Sequence, residues 1–160
     1  MSAAKANKQI RGALLSYCRG IDRLDLNTLM AAFHPGAMLE GYGSKAYAVE
    51  RFAPFAISGL RGSYEATQHR LSNTTIERHG DKARVETYVL AFHVVAGQER
   101  QLVTFNGRYI DDFEKRKGLW RIRTRRLRHD WSSTEPLQKP MPGTFVKSAR
   151  DRSDALYCAL

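Results

Sequence analysis

The stretch Leu102-Val103-Thr104-Phe105-Asn106-Gly107-Arg108-Tyr109-Ile110-Asp111-Asp112-Phe113-Glu114, then Lys115-Arg116-Lys117-Gly118, then Leu119-Trp120-Arg121-Ile122-Arg123-Thr124-Arg125-Arg126-Leu127-Arg128-His129-Asp130, decides the fold. Each arm changes side-chain character with a period near two, the mark of a strand whose residues point to opposite faces in turn. The linking residues are polar and end in glycine, as a hairpin connection does. Working back, residues 66–78 and 83–95 alternate in the same way and are separated by His79-Gly80-Asp81, while Ala96-Gly97-Gln98 leads into the run that begins at 102. Four long strands joined by short turns make an antiparallel meander.

The pattern ahead of the meander is helical. Ile10, Ala13, Leu14, Tyr17, Cys18 and Ile21 recur at helix spacing and predict a helix over 8–21, with Gly20 as a C-terminal stop. Leu24, Leu26, Leu29, Met30 and Phe33 predict a second short helix that ends before Pro35. Residues 37–42 read as a short strand closed by Gly41 and Gly43. Ser44 is placed to cap a third helix over 45–59, which Pro54 should kink or shorten. Helices first and a strand meander after is an α+β arrangement. From Trp131 onward, Pro136, Pro140, Pro142 and Gly143 predict an extended tail, so the chain divides into a domain over 1–131 and a tail over 132–160 that wraps the domain or a neighbouring subunit.

Composition agrees with one globular domain. The chain has 160 residues, 42% hydrophobic and 26% charged, enough to bury a core without a metal or a disulfide. It has no apolar run of the ~18 residues that a membrane helix needs. The start lacks the apolar core of a signal peptide. Cys18 and Cys158 lie near opposite ends and read as reduced thiols, so a cytoplasmic location is expected. The net charge of +10 is compatible with nucleic acid, a membrane surface or an anionic ligand. Its densest stretch, residues 121–128, carries arginine on both strand faces, whereas a surface that tracks phosphates would favour one face; we read it as an outward face partly paired with acids, with no membrane partner expected and nucleic acid the less favoured reading.

No phosphate-binding glycine loop, nucleophile elbow or zinc motif occurs. None of His34, His69, His79, His93 and His129 is spaced for a helical metal site, so neither metal nor cofactor is expected. The chemistry left to such a chain is proton transfer by side chains. His69 falls on the first long strand, in register with Thr67, Leu71 and Asn73. Asp22 lies just past Gly20 among apolar Ile21 and Leu24, where a buried acid needs a partner. From pattern alone His69 also suits a structural role, Asp22 a helix cap, and Tyr17 the core.

Tyr17-Cys18-Arg19-Gly20-Ile21-Asp22-Arg23-Leu24-Asp25 with Phe33-His34-Pro35, and the hairpin from Gly107 to Ile122, resemble SnoaL-like members of the nuclear transport factor 2-like superfamily. The resemblance spans about residues 8–131. Thr67-Gln68-His69 is similar to the histidine strand of its scytalone dehydratase branch. The resemblance implies a cone: a strongly bent antiparallel sheet, three N-terminal helices on one side, and a pocket between them, the cystatin-like α+β barrel. In scytalone dehydratase, hexachlorocyclohexane dehydrochlorinase and bile acid 7α-dehydratase, an aspartate and a histidine matching Asp22 and His69 form a catalytic pair. Tyr17 matches a tyrosine of the bile acid enzyme; Tyr42 and His93 match scytalone dehydratase residues; and an arginine of the bile acid enzyme falls close to His129. Ile21 stands where scytalone dehydratase has a tyrosine, so no relative's full site is reproduced.

The implied assignment is Asp22, His69 and Tyr17 as catalytic residues, with Tyr42, His93, His129 and Arg108 contacting substrate. The implied activity is a cofactor-independent lyase acting on a small hydroxylated aromatic or polycyclic compound. The alternatives are an isomerase or cyclase of the ketosteroid isomerase or polyketide cyclase type, and a small-ligand-binding module without catalysis. Residues 83–95 are apolar on both faces, with Tyr88, Leu90, Phe92 and Val94 on one and Val85, Val89 and Val95 on the other. A sheet covered on both sides predicts a homo-oligomer, and the resemblance makes a trimer the preferred form.

Overall fold

The computed structural model describes residues 2–97, 99–137 and 143–158. Ser2 opens the first helix, α1 (Ala3–Asp22), by accepting the Lys5 backbone N–H at 3.3 Å. The helix starts earlier than its apolar periodicity because residues 3–8 are rich in alanine and lysine, both strong helix formers. Its buried stripe of Ala6, Ile10, Ala13, Leu14, Tyr17, Cys18 and Ile21 follows the 3.6-residue period.

Gly20 does not stop α1. The helix runs on to Asp22 and closes with the Leu24 N–H on the Ile21 carbonyl and the Asp25 N–H on the Gly20 carbonyl. Leu24 takes the left-handed conformation, φ 54°, that glycine usually supplies in such a cap. The glycine is needed for contact instead: a Cβ on Gly20 would sit 2.4 Å from the Leu29 backbone nitrogen. Asp25 caps the short α2 (Leu26–Met30), accepting from the Thr28 N–H at 3.1 Å.

Strand β1 (Phe33–Glu40) begins at Phe33, upstream of its predicted start, and pairs with the two-residue β2 (Tyr47–Ala48). Helix α3 (Val49–Ser63) follows, later than predicted; Ser44 does not cap it, and Ala48 at the N-cap makes no side-chain hydrogen bond. Pro54 does not end it either. Pro54 and Glu50, whose carbonyl loses its partner to the proline ring, are both exposed, and water can serve that carbonyl.

The meander is β3 (Tyr64–His79), β4 (Lys82–Val95), β5 (Gln101–Arg116) and β6 (Leu119–Pro136). The sheet order is β2-β1-β6-β5-β4-β3, a curved sheet of six strands whose two edges do not meet. All neighbours are antiparallel except β1 and β6, which run parallel. Register shifts near Leu71/Thr74, Asn106/Gly107 and Asp112/Phe113 let long strands bend. At the second of these, a side chain on Gly107 would meet the Arg128 carbonyl at 2.1 Å.

The inner face packs on the helices. On β4, Ala83, Val85, Thr87, Val89 and Ala91 are buried, while Tyr88 on the outer face is 43% exposed. No helix among the described residues is long and apolar enough to cross a membrane.

The predicted tail begins later than expected, because residues 132–136 extend β6 and pair with β5. Pro140 and Pro142 lie outside the described residues. Residues 143–158 return to the domain near the end of α1. Arg23 donates to Ser148 Oγ and to the Ala149 carbonyl (2.8 Å), and Tyr157 donates to Asp25 at 3.1 Å.

Candidate active site

The bent sheet and the helices enclose a cavity of about 510 Å³, a size suited to a small organic molecule. Its lining is largely apolar and aromatic, including Ile21, Phe52, Leu60, Val103, Phe105 and Leu127, and Phe55 stands at its rim, 78% exposed. The polar groups lining it are few: Tyr17, Tyr42, Tyr64, His69, His93, Tyr109 and Ser63.

Asp22, in the last turn of α1, reaches His69 on the cavity lining. A carboxylate there opposes the negative end of the helix dipole and is compensated from β3. Thr67 Oγ1 donates to Oδ1 at 3.0 Å, the His69 backbone N–H donates to Oδ2 at 2.8 Å, and His69 Nδ1 lies 2.7 Å from Oδ1. A carboxylate only accepts, so Nδ1 carries the proton and Nε2, which makes no hydrogen bond among the described residues, holds the lone pair. The ring lines the cavity. Such an imidazole is held in one tautomer with a basic nitrogen available to a ligand.

The His93 ring packs against His69 edge-on at 5.4 Å and against Tyr64 at 4.9 Å. Burial, with the charge of His69 adding to it, pulls the His93 imidazole down to about 4. His93 is therefore neutral when His69 takes up a proton, and two imidazolium ions do not face each other.

Across the cavity, the Tyr17 and Tyr42 hydroxyls are 3.2 Å apart. Burial raises both, Tyr42 well above the ordinary phenol range; at Tyr17 the charge of Arg125 opposes the rise. The Arg125 guanidinium lies over the Tyr17 ring at 4.1 Å and the Tyr109 ring at 3.9 Å. Its Nε and Nη2 donate to the two carboxylate oxygens of Asp111 at 2.8 and 2.7 Å, and both side chains are fully buried. Burial pushes the Asp111 carboxyl up, yet a two-pronged bond needs both oxygens as acceptors, so the pair is ionic. Nη1 of Arg125 has no hydrogen-bond partner and packs among aromatic rings.

The structure thus gathers Asp22, His69, Tyr17, Tyr42 and His93. It does not bring Arg108 or His129 to the cavity. Arg108 pairs with Glu86 at 2.8 Å and Asp130 at 3.6 Å, and lies over the ring of the exposed Tyr88. His129 is exposed beside Phe105 at the bulge opposite Gly107. The basic stretch also differs from the expected outward face, because Arg125 points into the core. The pattern held a signal for it, since an arginine in step with Trp120, Ile122 and Leu127 across the strand bulge calls for a buried acid, which Asp111 supplies. Thr67 was visible as a neighbour of His69 in register but carried no role.

Class and family follow from this frame. An α+β fold with three helices closing a curved sheet over a cavity is nuclear transport factor 2-like, or cystatin-like. Over residues 2–126 the chain matches the SnoaL-like domain, and it belongs to that family. Among solved structures it is similar to a hexachlorocyclohexane dehydrochlorinase, LinA type 2 (17% identity, 89% of this chain and 97% of the other, TM-score 0.78). It is also similar to a scytalone dehydratase-like protein from Novosphingobium aromaticivorans (20%, 88% and 94%, 0.72). A third is a Nostoc punctiforme protein of unknown function with a cystatin-like fold (20%, 81% and 94%, 0.63). No curated protein matches the sequence.

Proposed function

We propose that the chain is a lyase that needs no cofactor and eliminates a small leaving group from a hydroxylated aromatic or polycyclic compound. The observation that carries this reading is the His69 ring, fixed by Asp22 through Nδ1 at 2.7 Å and lining an apolar cavity with Nε2 uncommitted. Nε2 removes a proton from carbon. The electron pair of the broken C–H bond forms the new double bond as the bond to the leaving group breaks. Asp22 stabilises the imidazolium formed, and a phenol of the Tyr17–Tyr42 pair protonates the leaving oxygen. A dry cavity strengthens each of these interactions. The dehydratase-like and dehydrochlorinase neighbours carry out, or are named for, eliminations of this type.

The test is a screen of hydroxylated aromatic and polyketide-like compounds with mass detection, before and after prolonged chelation. Loss of water, undiminished by the chelator, is the expected result; loss of formaldehyde would instead mark a retro-aldol cleavage, in which the base takes a hydroxyl proton, the O–H pair forms the aldehyde carbonyl and the C–C bond breaks. Turnover without a mass change makes the protein an isomerase or cyclase, and binding without turnover makes it a ligand carrier. The exposed Tyr88 on β4 and Trp131 on β6 suit burial against further copies in a homo-oligomer, with three the expected number. Light scattering that finds a monomer at micromolar concentration contradicts that assembly.

A further inference from the structure

Arg150 reaches the same site from outside the family-matched region. Its Nε donates to the Asp22 carbonyl at 3.2 Å, Nη1 to the Tyr64 carbonyl at 2.8 Å and the Leu60 carbonyl at 3.4 Å, and Nη2 to Thr67 Oγ1 at 3.2 Å. One guanidinium therefore joins the end of α1, the end of α3 and the start of β3, the elements that bring Leu60, Tyr64 and His69 to the cavity and Asp22 to His69.

The acceptors are neutral oxygens. A half-buried guanidinium among them pairs with no carboxylate of the described residues, which is an expensive way to hold a tail in place. Burial lowers its pKa, the Asp22 charge opposes this, and Arg23 and Arg61 add to the fall. The direction of the hydrogen bonds shows what the arrangement accomplishes. Arginine has only donors, so the Thr67 hydroxyl must accept from Arg150 and spend its single proton on Asp22 Oδ1, the oxygen that also receives His69 Nδ1–H. The tail segment is itself fastened by the Arg23 bond to the Ala149 carbonyl at 2.8 Å and by the Arg23–Asp154 pair at 3.5 Å.

We infer that Arg150 is a positioning residue for the Asp22–His69 pair, orienting the Thr67 hydroxyl and fixing the backbone of Asp22, and that residues 143–158 form the clasp that delivers it. This rests on the general-base reading of His69 for its effect on turnover, but not for its effect on the geometry of the pair.

The experiment uses the full chain with Arg150→Ala, Arg150→Lys, Thr67→Val and, as control, Lys147→Ala in the same exposed segment. The first readout needs no substrate: the low-field proton NMR signal of His69 Nδ1–H, which reports its bond to Asp22. The signal should move or broaden in Arg150→Ala and in Thr67→Val, which keeps the three carbonyl contacts, and should not change in Lys147→Ala. The second is turnover. In Arg150→Ala kcat should fall by up to about 10²-fold, the effect of displacing a catalytic group by about an ångström, with KM little changed. Added methylguanidine should restore part of it. Lysine should not, because one ammonium cannot span acceptors on three elements.

An Nδ1–H signal that is unmoved in both Arg150→Ala and Thr67→Val overturns the inference. So does a loss of kcat that only follows the loss of folded protein and does not respond to methylguanidine. If His69→Ala retains turnover while Arg150→Ala still shifts the signal, the general-base reading fails and the clasp stands.

Discussion

Two buried carboxylates are each held by a basic partner. Asp111 lies in the closed interior, where it takes both oxygens to Arg125 and neither side chain touches solvent. Asp22 lies behind His69, which lines the cavity; it takes one oxygen to the ring of His69 and shares its remaining capacity with Thr67 and the β3 backbone. The difference is in what the partner can do. Arginine is always protonated, so Asp111–Arg125 is a permanent ion pair that can only set the field around Tyr17 and Tyr109. Histidine can stand with or without its second ring proton, so under the proposed mechanism Asp22–His69 takes a proton from a ligand and returns it. One pair is built into the frame, and the other is built to change state.

The strongest way to break this contrast is to remove the switchable partner. His69→Ala should cost about 10²–10⁴-fold in turnover with little change in melting temperature. Asp22→Asn should be comparably severe, because an amide permits the wrong tautomer and cannot stabilise imidazolium. If His69→Ala keeps more than about a tenth of wild-type turnover, below the usual effect of a general base, His69 is not the base.

The permanent pair should respond in the opposite way. Asp111→Asn leaves an uncompensated guanidinium in the core and should lower stability by about 3–5 kcal/mol in denaturant unfolding. Replacing both partners, with Asp111→Leu and Arg125→Met, should recover much of that loss, since an apolar pair of similar volume has no charge to desolvate. A single variant that unfolds at the wild-type denaturant midpoint would show that the ion pair is not holding the frame.

The two regions were not equally legible in the sequence. The meander was, because period-two alternation survives in every long strand, and so was the buried stripe of α1. Asp22 and His69 emerged through family resemblance rather than spacing, since the 47 residues between them say nothing of contact until a fold is assumed. Arg125 was hidden because strand bulges shift which residues face inward, and a run of arginines reads as surface. Arg108 and His129 were expected to contact substrate, His129 from its place near an arginine of a relative; the bulge at Asn106/Gly107 and the pairing of Arg108 with Glu86 and Asp130, which set where the two side chains lie, are not visible in one strand alone. Gly20 was read by its usual role at a helix end, whereas its actual constraint is the approach of Leu29, a tertiary contact. Arg150 acts on Asp22 across 128 residues, a distance that no local pattern bridges.

His93 sharpens the comparison by way of pH. Its imidazole is pulled from 6.5 to about 4 by burial and by His69. The folded state therefore binds this proton less readily than the unfolded chain. The stability linked to His93 is complete above about pH 6.5, declines as pH falls, and is fully lost below about pH 4. After allowance for solvent screening, the amount is on the order of 2 kcal/mol. His93→Gln should flatten this part of the stability profile between pH 7 and 4.5 relative to wild type. Profiles that run parallel over that range would mean that His93 is not held neutral.

The smallest effect expected is at Arg108, and it tests the boundary of the site. Its charge is shared between Glu86 and Asp130 on the outer face, with about a third of each side chain exposed. Ion pairs this exposed contribute little, because water screens them and two long side chains must be held in place. Arg108→Gln should therefore leave the melting temperature almost unchanged and both kcat and KM at wild-type values. A rise in KM without loss of stability would mean that substrate reaches the outer face, and the cavity lined by His69 and Tyr42 would no longer account for binding. A fall in oligomer mass in the same variant would instead place Arg108 in the contact between copies, the one role on that face that its pairing with Glu86 and Asp130 leaves available to it.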